Sequence, residues 1–246
     1  VPQAQVSART PRPARLAALA TLSALYMSAG GLCLLALALV TGLRARDAYG
    51  RFASRLSRGL LRLWGVRVEV VGALPTGQVV YVGNHVSALD VFVVCALGLP
   101  RTRYFLTGAL RLVAPLGLIG WLIGVFFTPP QTRRDDRVAL FQRAARELAA
   151  SGESVFLTPE GERVRTGQIG HFNRGAFHLA LALRAPIVPL WIETPPETDP
   201  GMGLDVRPGV VRVTVKPAVE TASRTVEEVD ALRDEVRGAY VGWNEG

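Results

Sequence analysis

The sequence predicts an α/β domain, a mixed, mostly parallel sheet flanked by helices, behind an N-terminal membrane-anchoring helical segment. Three observations lead there. A long charge-free apolar run lies near the start; short β-branched runs alternate with helical patterns from residue 66 onward; and polar clusters sit at the ends of two of those runs. The chain accordingly divides into 1–64, an anchor with a basic amphipathic helix, and 65–246, the domain that carries the chemistry.

At 246 residues and 49% hydrophobic, there is material for one moderate domain plus an anchor. Lys+Arg outnumber Asp+Glu by 28 to 20, and Lys216 is the single lysine. Such a surplus suits an anionic membrane surface, nucleic acid or an anionic substrate. The arginines crowd the anchor without an aromatic-interleaved stripe, so no nucleic acid partner is expected. Cys33 and Cys95 lie in apolar runs with no spaced partner, which favours a reducing compartment. His171 and His178 lack Cys, Asp or His at ligand spacing, and no metal site is expected.

Residues 16–40 form 25 positions without a charge, enough at about 1.5 Å per residue to cross a hydrocarbon core of roughly 30 Å. The run is too long for the apolar region of a signal peptide. Arg9, Arg12 and Arg15 on one side and Arg44 and Arg46 on the other leave its orientation open. Gly30-Gly31 near its middle weakens a helix, so a re-entrant bend stands beside a kinked span. Residues 47–64 space Arg51, Arg55, Arg58 and Arg62 helically among Tyr49, Phe52, Leu56, Leu60, Leu63 and Trp64. That pattern fits a helix in the headgroup region, or one packed on the domain with its arginines in water.

Strands are expected at 66–70, 79–82, 104–106, 125–127, 154–157, 187–192 and 210–215. Helices are expected at 88–97, 136–150, 177–183 and 226–240, with a Pro/Gly-interrupted buried or interfacial helix at 110–123. In the 136–150 helix, Val138, Phe141, Ala145 and Leu148 share a face, and Gly152 is the stop. Pro186 and Pro189 suggest that the 187–192 strand lies at an edge or bulge. Residues 194–209 read as a surface loop.

Two clusters carry chemistry. Asn84-His85-Val86-Ser87-Ala88-Leu89-Asp90 follows the 79–82 strand, and a histidine backed by an aspartate is the pair that deprotonates a hydroxyl. Only 3 histidines occur in the chain, so one here is informative. Thr158-Pro159-Glu160-Gly161-Glu162-Arg163 follows the 154–157 strand; its proline and glycine make a turn that presents Glu160 and Arg163. An arginine so placed clamps a phosphate or carboxylate, with Glu160 either holding it or binding acceptor hydroxyls. Residues 170–177 open a helix with small residues and Arg174, a pattern that binds anions.

Together these segments resemble the glycerolipid acyltransferases of the 1-acylglycerol-3-phosphate acyltransferase type. Asn84, His85 and Asp90 match the family's Asn-His-x4-Asp motif, and Pro159, Glu160, Gly161 and Arg163 match its Phe-Pro-Glu-Gly-Thr-Arg-Ser motif, with Thr158, Glu162 and Val164 departing. Phe172 to Gly175 resemble its Phe-Lys-x-Gly element, and Val188-Pro189-Leu190 its apolar-Pro-apolar strand. The resemblance implies that His85 is a base oriented by Asp90, that Asn84, Glu160, Gly161 and Arg163 serve the substrate, and that no cofactor or covalent intermediate at Ser87 is needed. Where the family's second motif carries a phosphate-binding arginine, this chain has Pro130, with Arg133, Arg134 or Arg111 as replacements. Backbone N–H groups near Gly161 are the candidate oxyanion donors. The expected reaction is acyl transfer from acyl-CoA or acyl carrier protein to a lysophospholipid at the inner membrane, with the domain facing the cytoplasm. Lysophosphatidic acid is the leading acceptor, lyso-ornithine lipid the next, and a basic, non-enzymatic lipid-binding protein the rival class.

Overall fold

The computed structural model describes residues 13–161, 163, 167–201 and 205–245. Arg9, Arg12, Glu162 and Val164 lie outside the described residues. Two N-terminal helices, α1 (Pro13–Val40) and α2 (Arg46–Leu63), precede the strands β1 (Val66–Val71) and β2 (Val80–Gly83). Then come α3 (Asp90–Leu97), β3 (Thr102–Thr107), a 3-10 turn (Gly108–Leu112), α4 (Leu116–Leu122), β4 (Phe126–Thr128) and α5 (Arg134–Ser151). The chain finishes with β5 (Ser154–Leu157), α6 (Gly175–Leu183), β6 (Ile187–Glu193), β7 (Gly209–Val215), a 3-10 turn (Val226–Glu228) and α7 (Val229–Glu245).

The 7-stranded sheet runs β1-β7-β6-β2-β5-β3-β4. Every neighbour pair is parallel except β6–β7, so the sheet is mixed and mostly parallel, as expected. β2 connects through α3 to β3 on one side, whereas β5 connects through α6 to β6 on the other. Right-handed crossovers in opposite directions put their helices on opposite faces. Thus α1–α4 pack with Tyr81, Phe156 and Val188, and α5–α7 pack with Val80, Val82 and Val155. Because the connections diverge between the adjacent strands β2 and β5, their carboxyl ends form the topological switch point, the place where such sheets bind ligands in a crevice.

Pro189 lies in β6, an interior strand, so of the edge and the bulge expected there it is the bulge that forms, residues 188–189 facing 216–218. Its missing N–H falls where β7 peels away: Lys216 N–H donates to the Pro189 carbonyl, and the next bridge is Ile187 with Val219. The 110–123 segment is two short pieces around Pro115 instead of one helix, because a proline cannot continue the preceding turn. On α5 the fully buried stripe is Leu140, Ala144 and Leu148; Phe141 and Ala145 flank it, and Val138 is exposed. Gly152 does stop α5, in the left-handed conformation at φ 66°.

α1 is a continuous helix through Gly30-Gly31, so no re-entrant bend forms there. The glycines are contact points. A Cβ on Gly30 would fall on Leu56 of α2, and one on Gly31 would sit 2.9 Å from Pro115. Met27, Leu34 and Ala38 join the same apolar cluster as Val211 and Val213 of the sheet, so packing does not stop at residue 64. Helix α2 packs on the domain: Tyr49, Ala53, Leu56, Leu60 and Leu61 are buried, while Arg51, Arg55 and Arg62 stay exposed. Arg58 donates to the carbonyls of Ala96 (2.6 Å) and Leu97 (3.3 Å), the free end of α3. Gly30→Val is expected to destabilise the protein by about 1–3 kcal/mol through overpacking, read as a lowered midpoint of denaturation in detergent. Leu32→Ala, at a position 66% exposed, should leave that midpoint unchanged.

Candidate active site

His85 leaves the end of β2, and Asp90 opens α3 five residues later. The turn between them brings Nδ1 of His85 to 2.8 Å from Oδ2 of Asp90. The same oxygen accepts the N–H groups of Val86 (2.9 Å) and Ser87 (3.0 Å). Asp90 is buried and stands in the first turn of α3, where backbone N–H groups favour negative charge. With Nδ1–H donated to a carboxylate, the neutral ring carries its lone pair on Nε2, the atom a base must offer. The imidazole stays 29% exposed, open to a reactant.

Glu160 comes from the end of the adjacent strand. Thr158 to Gly161 is a turn closed by the Gly161 N–H donating to the Thr158 carbonyl at 3.1 Å. Pro159 suits its second position, and Gly161 adopts φ +74°, a conformation side chains disfavour. Asn173 braces the turn, its Nδ2 donating to the carbonyls of Pro159 and Glu160, each at 3.0 Å. The Glu160 carboxylate is 95% buried, with Oε2 accepting the His85 N–H at 2.8 Å and Oε1 the Gly170 N–H at 2.9 Å. Burial raises its pKa above the ordinary carboxyl value, and the two N–H donors pull it partly back. Glu160 therefore fixes the backbone under the histidine.

Several expectations change. Asn84 does not reach the crevice: it is buried, and its amide exchanges two 2.8 Å hydrogen bonds with the backbone of Ile192, tying β2 to β6. The Gly161 N–H is spent inside its turn, so it is not a free oxyanion donor. Both Glu160 carboxylate oxygens are engaged by backbone N–H groups, not by Arg163. Arg163 instead donates Nη1 to the Gly201 carbonyl at 2.6 Å, and its Nε is buried without a hydrogen-bond partner. Arg133 is 70% exposed beside Asp136. Arg134 is exposed at the start of α5 and lines a groove with Gly161, Phe141 and Asn173; His85, Asp90 and Arg163 do not line it. Arg111 is exposed on the 3-10 turn.

The 170–177 segment is also used internally. Gly170 serves Glu160, and Arg174 forms a two-pronged pair with Asp230 of α7 at 2.7 and 2.6 Å. Sequence reasoning did not single out Asp199, and it read Gly170 and Asn173 as part of an anion-binding helix start, not as braces of the Glu160 turn. Their contacts span 10 to 112 positions along the chain, beyond any local periodicity. Ser87, fully buried, donates to Asp199 and accepts from Leu89, so it is not presented as a nucleophile. Among the described residues no group of three metal-ligating side chains occurs.

The hydrogen-bonded His85–Asp90 pair stands at the switch point of an α/β sheet, and the comparisons place the chain in a family. An acyltransferase family model matches residues 66–193, just over half of the chain, and the protein belongs to that family. It is 34% identical over 179 residues to mouse 1-acyl-sn-glycerol-3-phosphate acyltransferase alpha, covering 71% of this chain and 62% of that protein. The human counterpart gives 34% over 178 residues with the same coverage. This chain therefore spans about three fifths of the length of those mammalian relatives. The fold is that of the 1-acyl-sn-glycerophosphate (LPA) acyltransferase PlsC from Thermotoga maritima, with a TM-score of 0.75 at 18% identity over 94% of this chain and 98% of that one.

Proposed function

We propose that this protein is a membrane-bound O-acyltransferase that moves a fatty acyl chain from an acyl thioester to the free hydroxyl of a lysophospholipid, with lysophosphatidic acid as acceptor and phosphatidic acid as product. The observation that carries this reading is the 2.8 Å contact between His85 and Asp90 at the carboxyl end of β2. His85 Nε2 takes the hydroxyl proton as the oxygen attacks the thioester carbonyl; the tetrahedral intermediate collapses, and the departing thiolate takes the proton back from the imidazolium. Asp90 keeps the ring in the right tautomer and stabilises its charged form. The thiol carrier is coenzyme A or acyl carrier protein, a substrate and not a resident cofactor.

A small apolar slot of about 60 Å³ lies under α3: Val91, Phe92 and Cys95 line it together with Leu106, Ile119, Phe156 and Met27 of α1, and neither His85 nor Asp90 does. At that size it takes a few methylene groups, not a whole fatty acyl chain. Helix α1 is the one described helix long and apolar enough to cross a membrane. Its exposed Leu25, Leu32 and Leu39 share that outward apolar character with Leu112 of the 3-10 turn and Trp121 of α4, which favours attachment to lipid. Free Cys33 and Cys95 fit a domain on the cytoplasmic side of the inner membrane.

Arg163 is the cation we assign to the acceptor's phosphate; its Nε is buried and has no hydrogen-bond partner, so one donor of the guanidinium stands unused. Purified protein in mixed micelles, given labelled acyl-CoA or acyl carrier protein and a panel of lyso-lipids, tests the reading. Arg163→Ala should weaken use of lysophosphatidic acid by about 10–100-fold, the size of a charge-assisted hydrogen bond, and change transfer to phosphate-free acceptors little. Equal loss on both kinds of acceptor removes Arg163 from headgroup recognition. Exclusive transfer to a phosphate-free lyso-lipid such as lyso-ornithine lipid replaces the proposed acceptor.

A further inference from the structure

The stretch after β6 does more than return the chain to β7. Thr198 within it is fully buried, packed where Gly209 has no side chain, so the segment is held inside the fold. The next residue, Asp199, accepts the Ser87 hydroxyl on Oδ1 at 2.6 Å and the Gly201 N–H on the same oxygen at 3.2 Å. Gly201 turns its carbonyl to Arg163 Nη1 at 2.6 Å. At the other end, Ser87 accepts the Leu89 N–H at 3.1 Å and gives its own N–H to Asp90. A strap of three residues, 199–201, therefore bears on two places at once. One is the loop that shapes the His85–Asp90 pair; the other is the arginine placed for the acceptor's headgroup.

We propose that Asp199 is a positioning residue that couples headgroup recognition to the base. Through Ser87 it sets the 86–89 loop, and with it the two N–H groups that hold Asp90 Oδ2. Through Gly201 it sets where Arg163 waits. An acceptor phosphate that draws Arg163 off the Gly201 carbonyl changes the load on the strap, and Ser87 carries that change to the histidine loop. A carboxylate suits this role better than a neutral acceptor, because one oxygen must hold a fully buried hydroxyl and a backbone N–H together. The inference rests on the reading of His85 as base and Arg163 as headgroup ligand.

The test compares Asp199→Ala, Asp199→Asn, Ser87→Ala and the Asp199→Ala/Ser87→Ala double variant with the full-length chain in mixed micelles. Transfer to lysophosphatidic acid is measured together with the ring NMR signals of His85, assigned with the help of His171→Gln and His178→Gln. Asp199→Ala should lower kcat about tenfold, as expected for loss of one charge-assisted hydrogen bond. It should also raise KM for the anionic acceptor, move the His85 ring signals, and lower the melting midpoint, since the buried Ser87 hydroxyl loses its acceptor. Asp199→Asn should recover part of each effect, and the double variant should lose no more than the worse single one. The proposal is overturned if the His85 signals stay at their wild-type positions, if only the melting midpoint moves, or if the two substitutions multiply. A wild-type protein that acylates no lyso-lipid would sink the function reading instead, while the His85 signals would still decide the coupling.

Discussion

His85→Ala is expected to lower acyl transfer by about 10²–10⁴-fold, the usual contribution of a positioned base, without loss of folded protein. The imidazole is partly exposed, and among the described residues its ring makes one side-chain hydrogen bond, to Asp90. Truncating it therefore removes little packing, whereas the structural tie at this position, the His85 N–H to Glu160, belongs to the backbone and survives. Asp90→Asn should also be severe, for a different reason. An amide at Oδ2 must receive three N–H donors if its oxygen faces them, and if its nitrogen faces them it repels all three. Either arrangement loses the negative charge that stabilises the imidazolium, and the second favours the wrong tautomer. Rates measured with saturating acceptor, beside a far-UV melting curve, check both variants. A His85→Ala protein that transfers acyl chains at the wild-type rate would leave the basic lipid-binding class as the better account.

Glu160→Ala should impair folding and turnover together. It leaves the N–H groups of His85 and Gly170 without the carboxylate that satisfies them, at about 1–3 kcal/mol for each donor kept from water. Glu160→Gln is the finer probe. Its amide offers one acceptor where two donors converge, so the crevice loosens while the volume is kept. The variant also changes the pH dependence of stability. A carboxyl whose pKa is raised on folding is held protonated more tightly by the native state, so its contribution is complete at low pH and is lost as pH rises through the raised value. Denaturant titrations from pH 4 upward should show this downward component in the wild type and its absence in Glu160→Gln. A pair of parallel stability curves would show that Glu160 does not titrate as its burial requires.

Most of the fold could be read from local pattern. The alternation at Val66, Val68 and Val70, the continuous apolar runs of β2 and β5, and the Gly152 stop each reflect short-range physics. What local pattern does not contain is the order of strands, and everything that depends on it stayed out of reach. Asn84 resembles a substrate ligand because its partner, the Ile192 backbone, is 108 residues away. Glu160 looks like a partner for Arg163, three positions on, because its real partner is a backbone N–H 75 residues earlier. Pro189 reads as an edge or a bulge until β7 is seen to leave the sheet beside it. The His85–Asp90 pair is the counter-example: both ends lie within one turn, so spacing alone brings them together.

Met27 belongs to α1 and also lines the slot beside the α3 side chains that follow Asp90. The segment that would meet the bilayer thus shares one apolar cluster with Val93, Val94 and Leu97 of α3, the helix that Asp90 opens. Cutting the chain before α2 to obtain a water-soluble enzyme would not free a finished catalyst from its tether. It would strip apolar support from the helix that carries Asp90, so extraction from lipid and loss of activity should arrive as one event.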